Sequence, residues 1–442
     1  MVVWSGIPGE RAVVRVVHRG RSQDYGLFVH ADEPDPQRVE PPCNRYSVCG
    51  GCPLMHLTPV GQERARRSLV RSALDAEGLR GVSLGTFHPS PDGQEGIQHE
   101  ARLGFGYSDQ GHVRVGARGR RDRRLVPIPR CNVLVPPLRH VMVALAHHTI
   151  QRSVRPWVDE TGAGVLREVI LRMSRTTGEV LMTLVAARGI RELRGLAEDV
   201  AGQVSSVTGV WLHLNSEPGD KLFSPAEDGT VPARPLLGKE TIEERIGGVT
   251  YTIGPVDSFH SNPAMEEVRY ARALERCALA PEVPVVVLHT GIGGMTLQVA
   301  GRSSWVVGVE ENSVARAREN GRRQGLGAEF AVGPLPDVLS DLRRRLGGRS
   351  PVVVATPARR GLGMAVVEGI LALGARRVVY LSGNPRGMAR DLAAFQRAGQ
   401  RIGEVEMFDA FPNTSRVQCL ATVEGGPIEA ATGRAPRRKV VR

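Results

Sequence analysis

The sequence predicts an α/β protein: a C-terminal doubly wound domain standing behind a β-rich N-terminal part. Three observations predict it. Beyond residue 260, apolar runs such as "VPVVVLHTGIGG" and "PVVVATPA" alternate with amphipathic helical stretches, the pattern of a mostly parallel sheet with crossover helices. Before it, strand-like runs dominate, broken by Pro- and Gly-rich joints. At 442 residues the chain is also too long for one compact core.

The elements follow in order. "GERAVVRVVHRG" and "YGLFVHA" alternate apolar and polar residues and end at the joint "EPDPQRVEPPC", so residues 1–40 read as a small β unit. A cysteine loop comes next. "TPVGQERARRSLVRSALDAEGL" has Thr58 as N-cap, near-helical apolar spacing and a stop near Gly78. From Arg102 to Ala187 the runs "ARLGFGYS", "HVRVGA", "REVILRMS" and "EVLMTLVAA" read as strands, with a helix over Leu138–Ile150. A loop-rich stretch then leads into "ERIGGVTYTIG", and residues 41–260 are expected to form a central domain. In the last domain, 261–442, "AMEEVRYARALERCALA" is helical and "WVVGVEENSVARARENGRRQGL" is strand then helix. "RRVVYLSGNP" is a strand flanked by helices near Met364–Leu373 and Arg386–Arg397, and a last pair of strands closes the domain.

Composition narrows the function. Hydrophobic residues make up 41% and charged residues 24%, as in a folded chain. No apolar run approaches the ~20 residues that cross a bilayer, and "MVVWSGIPGE" does not read as a signal peptide. The expectation is a cytoplasmic protein with no membrane partner. The net charge of +12 favours a polyanion such as nucleic acid, although a codon-driven arginine bias competes, since only Lys221, Lys239 and Lys439 are lysines. "ARGRRDRR" and the tail "GRAPRRKVVR" concentrate arginines, whose planar fork suits phosphate; either also reads as a solvated face.

Three of the chain's six cysteines stand in "CNRYSVCGGCPLMH". Cys43, Cys49 and Cys52 put three thiolates round one centre, with Gly50 and Gly51 between two of them, and a fourth ligand is needed. Cys131 is the remote candidate; Cys277 lies in a helix of the last domain and Cys419 in its terminal strand. Spacing alone leaves zinc and an iron–sulfur cluster open. In "VVVLHTGIGGMTLQVA", Gly291 and Gly293 allow close approach of a ligand to backbone, and Glu310 ends the next strand, where a carboxylate accepts from ribose hydroxyls.

Together these pieces resemble the RNA (uracil-5-)methyltransferase family, which makes 5-methyluridine in 23S rRNA and tRNA. The resemblance runs through "RVEPPCNRYSVCGGCPLMH", "FHSNP", "HTGIGG", "GVEENSVARARENGRRQGL", "TPARRGL", "YLSGNPRGMARDL" and "FDAFPNTSRVQCL". It implies a Rossmann-like class I methyltransferase domain, S-adenosylmethionine as cofactor and rRNA or tRNA as partner. It also implies a 4Fe-4S cluster on Cys43, Cys49, Cys52 and Cys131, and a truncated TRAM-like unit at 1–40.

The chemistry of that family needs a thiolate that attacks uracil C6 and a base that takes the C5 proton. The resemblance puts the nucleophile at Gly383, in "SGNP" where the family has a cysteine, and the base at Gln418, in "FPNTSRVQ" where it has a glutamate. Arg416 stands at the motif's histidine position. The cofactor positions depart too: Val287, Thr356 and Pro334 replace acids, and His260 replaces a glutamine. Glu310, Gly291, Gly293, Asn262, Arg359, Gly361, Asn384 and Pro385 match. Ser382, Cys419 and His260 are the residues that could stand in for the lost groups. The resulting expectation is a monomeric, RNA-binding iron–sulfur pseudoenzyme whose S-adenosylmethionine binding is weak or lost. The rivals are an active methyltransferase of altered chemistry and a cluster-bearing interaction or redox scaffold.

Overall fold

The computed structural model describes residues 1–442 except 121–123, 220, 224–225, 227–229 and 426–442. The arginine-rich tail and the middle of the 117–124 run lie outside the described residues.

The N-terminal unit is a three-stranded sheet of β1 (Val2–Trp4), β2 (Arg11–Arg19) and β3 (Asp24–Glu33), ordered β1-β3-β2. The cysteine loop follows, and then α1 (Pro59–Ala76) begins where the sequence predicts. The Thr58 hydroxyl accepts from Gly61 N at 3.2 Å, and Pro59 needs no amide partner in the first turn.

A seven-stranded sheet fills the middle of the chain. Its strands are β5 (Glu100–Tyr107), β6 (Val113–Arg118), β7 (Leu125–Val126), β8 (Leu166–Met173), β9 (Val180–Ala186), β10 (Val207–Leu214) and β11 (Arg234–Gly238), in the order β11-β10-β9-β8-β5-β6-β7. Its core side is covered by α2 (Pro136–Gln151) and α3 (Glu192–Gln203). β9 reads as a continuous apolar run because both faces are covered. Met182 and Leu184 pack under the helices, while Leu181 joins the core of the last domain and Thr183 donates to Pro255 O at 2.9 Å.

The hairpin of β12 (Ile242–Ile246) and β13 (Val249–Ile253) leads to α4 (Pro263–Cys277), which is capped by Asn262 accepting from Met265 N at 3.1 Å. The doubly wound domain then runs β14 (Val285–Leu288), α5 (Gly294–Ala300), β15 (Val306–Glu310), α6 (Ala315–Gln324), β16 (Glu329–Val332) and α7 (Leu335–Leu346). It continues with β17 (Val352–Ala355), α8 (Met364–Ala372), β18 (Arg377–Ser382), α9 (Pro385–Arg397), β19 (Arg401–Phe408) and β20 (Gln418–Glu424). The sheet order is β16-β15-β14-β17-β18-β20-β19-β4, where β4 is Leu84–His88, with β20 antiparallel to both neighbours. The order of winding reverses between the parallel neighbours β14 and β17, the place where open α/β sheets bind ligands at their strand ends.

The eighth strand is unexpected. β4 (Leu84–His88) lies parallel to β19, and α1 packs Val70, Ala73 and Leu74 into the core of the same domain. Residues 59–88, which the sequence reading placed in a unit spanning 41–260, therefore pack on the C-terminal sheet. Arg66 of α1, fully buried, ties them there through Asp409 at 3.1 Å and the carbonyls of Phe411 and Thr414.

Candidate active site and cysteine cavity

Four thiols meet at one cavity. Cys43, Cys49 and Cys52 from the loop and Cys131 from beyond β7 line a space of about 510 Å³, together with Gln98, Glu100 and Pro412. Cys277 and Cys419 are buried elsewhere, in α4 and β20. Burial pushes Cys52 up to about 12, and the neighbouring thiols push the same way. Burial likewise raises Cys49 and Cys131, opposed by amides that point at the sulfurs. One of these amides is Gly51 N, 3.4 Å from Cys49 Sγ. Among the described residues, no three His, Cys, Asp or Glu side chains stand close enough to hold a single metal ion.

The second site lies at the ends of β18 and β20. Gly383 follows β18 and is exposed; Gln418 opens β20 and is half-buried. A Cβ added at Gly383 would lie 3.1 Å from Gln418 Nε2 and 3.2 Å from its Oε1, so the two positions face each other. Gln418 Oε1 accepts from Arg269 Nη1 at 2.7 Å, and Arg269 Nη2 donates to Glu266 at 2.7 Å. His260 Nε2 stands 3.1 Å from Glu266 and 3.1 Å from the Tyr270 hydroxyl. Burial pulls His260 down to about 4, against the pull of Glu266, so the ring is neutral at pH 7.

None of the stand-in residues presents a reactive group to this gap. The Ser382 hydroxyl, buried, donates to Asn384 O at 3.3 Å and accepts from Asn384 N at 3.1 Å. Cys419 alternates with Gln418 along β20 and is fully buried in the sheet core, with its thiol raised to about 12 by burial. Arg416 is exposed and lies 3.5 Å over the Phe411 ring. Sequence reasoning missed Arg269 and Glu266. Their signal was an acid and a base three residues apart on the buried side of α4.

The strand-end crevice carries the remaining positions. Gly291 and Gly293 have φ of +54° and +100°, conformations that need glycine. Glu310 folds back on this loop: its Oε2 accepts from Gly291 N at 2.9 Å and its Oε1 from Glu311 N at 3.0 Å. Thr356 turns inward, donating to His289 O at 2.8 Å, and Val287 lies wholly within the sheet core. Pro334 caps the start of α7.

No protein-family model matches the chain. It is 28% identical over 431 residues to an uncharacterized RNA methyltransferase of Halalkalibacterium halodurans, covering 96% of this chain and 92% of that one. A Gloeobacter violaceus protein of the same description is 29% identical over 431 residues, with coverage of 96% and 91%. The crystal structure of a Pyrococcus abyssi tRNA (uracil-54, C5)-methyltransferase with S-adenosyl-L-homocysteine superposes with a TM-score of 0.73 at 23% identity, covering 95% of both chains. On a class I methyltransferase fold, then, the chain resembles the RNA (uracil-5-)methyltransferase family along nearly its whole length.

Proposed function

We propose that this chain is an RNA-binding, iron–sulfur member of the uracil-5 methyltransferase group that holds RNA without methylating it. The observation that carries the reading is the facing pair Gly383 and Gln418. Methylation at C5 needs a thiolate on C6 and then a base for the C5 proton. Gly383 has no side chain to attack with. Gln418 is a neutral amide, and its oxygen is already an acceptor for Arg269. The neutral His260 could accept a proton, but it is turned to Glu266 and Tyr270.

His260, Gly291, Gly293, Glu310 and Thr356 are the residues that would hold S-adenosylmethionine. Each Glu310 oxygen accepts one loop amide and keeps a lone pair for a ribose hydroxyl, whereas Thr356 spends its proton on a carbonyl and Val287 and Pro334 bring no polar side chain to replace the acids. We expect weak or no binding. The cysteine cavity suits a cluster better than a single ion: four soft thiols surround a roomy space, and backbone amides and Arg120 offset their charge. A 4Fe-4S cluster on Cys43, Cys49, Cys52 and Cys131 would supply cross-linking and electron-transfer capacity at this junction. The net charge of +12 favours a polyanionic partner, and the family resemblance makes that partner rRNA or tRNA, bound by a cytoplasmic monomer.

The test uses RNA containing 5-fluorouridine, from which the C5 fluorine cannot leave as a proton. With S-adenosylmethionine present, the purified chain should retain this RNA on a native filter and leave no covalent band on a denaturing gel. A denaturation-resistant adduct would overturn the reading.

A further inference from the structure

The turn that leads into β20 is held from two arms of the cysteine site, and one residue collects the bonds. Asn413 is 3% exposed and has φ of +66°, a left-handed conformation that asparagine adopts more readily than most other residues with a side chain. All of its polar groups are used. Its carbonyl oxygen accepts from Leu54 N at 2.9 Å, and its own N–H donates to Gln62 Oε1 at 2.8 Å. Its Oδ1 accepts from Gln62 Nε2 at 3.1 Å, and its Nδ2 donates to Gln94 O at 3.3 Å. A residue bonded in this way fixes a joint and has nothing left for a ligand.

Two of these partners lead to thiols. Leu54 comes just after Cys52, in a turn where Met55 N donates to Cys52 O at 3.3 Å. Gln94 comes just before Gly96, whose N–H donates to the carbonyl of Asn132, the neighbour of Cys131, at 2.7 Å. Ile97 N adds a bond to Val133 O at 3.0 Å. The arm of Cys52 and the arm of Cys131 therefore meet at Asn413. From there the chain runs on to the gap: Arg416 N donates to Thr414 Oγ1 at 3.1 Å, and Gln418 opens β20. None of these bonds involves α4, which holds Gln418 separately through Arg269.

We propose that Asn413 is a positioning residue that couples the cysteine site to residue 418. When the four thiols share one metal centre, the Cys52 and Cys131 arms are drawn to a single spacing, and Leu54 and Gln94 hold the turn to match it. With the centre removed the arms can part, and a buried Asn413 cannot keep its bonds to both. The turn then loosens, and with it the entry to β20 and the spacing of Gly383 and Gln418. The inference rests on the iron–sulfur reading above and adds a regulatory consequence to it.

The test compares deuterium uptake of anaerobically purified holoprotein with that of protein stripped by a ferrous chelator under dithionite. In the unchanged chain, stripping should speed exchange in residues 43–57 and, by roughly tenfold, in 409–418, the worth of one or two hydrogen bonds. Residues 329–346, in β16 and α7, should not respond. Asn413→Gly keeps the left-handed backbone and removes both side-chain bonds. In that variant the response of 409–418 should fall to about threefold or less, while 43–57 responds as before. A residue that only stiffened the turn would, when replaced, speed exchange equally in both states and leave the stripped-to-holo ratio unchanged. The measurement on the unchanged chain does not depend on how the variant folds. If the anaerobic chain carries no iron, the iron–sulfur reading falls and the coupling with it. If it carries iron but 409–418 ignores stripping, or Asn413→Gly keeps the full ratio, the coupling alone is wrong. Equal acceleration of 329–346 would also overturn it, marking a general loosening.

Discussion

The cysteine cavity and the Gly383–Gln418 gap differ in what their geometry still holds. In the first, three thiols of one loop and a fourth from Cys131, much further along the chain, converge on one space. In the second, two positions on adjacent strand ends face each other closely enough that a Cβ added at Gly383 would lie 3.1 Å from Gln418, yet one has no side chain and the other is a neutral amide. Placement and reactivity are therefore separable. The sheet sets where residues 383 and 418 stand, through ladder bonds such as Ser382 opposite Cys419, whatever side chains they carry. The cysteines too are placed by backbone, with Cys49 N donating to Arg45 O at 2.8 Å and Cys131 N to Ile128 O at 3.0 Å, so the cavity differs from the gap in keeping its reactive side chains.

The largest effect should come from removing a thiol. On the proposed reading, chain purified without oxygen is brown and carries about four irons. Cys131→Ser should lose both colour and iron, and Cys277→Ser, buried in α4 far from the cavity, should keep them. Stoichiometric zinc in place of iron would break the comparison on its cysteine side.

Next comes restoration of the gap. Gly383→Cys places a sulfur against residue 418 and should permit slow trapping on fluorouridine RNA. Gly383→Cys with Gln418→Glu should be needed for turnover, since a positioned base contributes about 10²–10⁴-fold. Arg269 adds a condition. Its guanidinium would pair with a carboxylate at 418 and hold that carboxylate below its usual range, weakening it as a base. The triple variant with Arg269→Met should therefore turn over faster than the double, measured as methyl transfer from labelled S-adenosylmethionine. No methyl transfer by the triple variant, with RNA binding intact, would locate the remaining defect in the crevice of Glu310 and Thr356.

How much of this was legible beforehand depends on the range of the interaction. Local signals carried well: Thr58 caps its helix, and the valine-rich runs at β14 and β17 are buried on both faces. The quoted motifs named the positions of both sites, and the structure brings Gly383 to Gln418 and Cys131 to the loop cysteines. The pairing of β4 with β19 carried no such signal. "LGTFH" is five residues long, and its partner lies more than three hundred residues away. Arg269 was hidden for a similar reason, since a helical arginine usually reads as solvated surface and only the fold turns this one toward Gln418. The helix α3, "ELRGLAEDVAGQ", was not assigned because it is short and its apolar stripe is narrow.

Arg66 links the two regions and gives the third prediction. It anchors α1 to Asp409 and holds the Phe411–Thr414 turn, whose Pro412 and Thr414 line the cysteine cavity. Arg66→Met removes one partner of a buried pair and should cost about 3–5 kcal/mol of unfolding free energy. Denaturant midpoints of holoprotein would measure it. A loss under 1 kcal/mol would mean that α1 is not a structural bridge between the sites.

The smallest effect separates the sites by pH. Glu406 is fully buried on β19, where Arg272 and Arg276 of α4 and His88 of β4 converge on its carboxylate. Burial alone would raise it, but hydrogen bonds from Arg272, His88 and Arg276 outweigh that and bring it from 4.5 down to about 2. A carboxyl whose folded pKa is depressed stabilises the fold above its unfolded value, so the contribution is complete above pH 4.5 and lost as pH falls toward 2. The loss should reach about 3.5 kcal/mol at most, from about 1.4 kcal/mol per unit. Glu406→Gln should be less stable at neutral pH, where it leaves two arginines without their acid, and flatter between pH 4.5 and 2. The same α4 brings Arg269 to Gln418, whereas none of its residues lines the cysteine cavity. Loosening α4 should therefore disturb the Gly383–Gln418 gap before the thiols. Hydrogen exchange at pH 4 would read this as faster exchange in 263–277 of Glu406→Gln, with 43–52 unchanged. Equal acceleration in both segments would show that the two sites open as one unit.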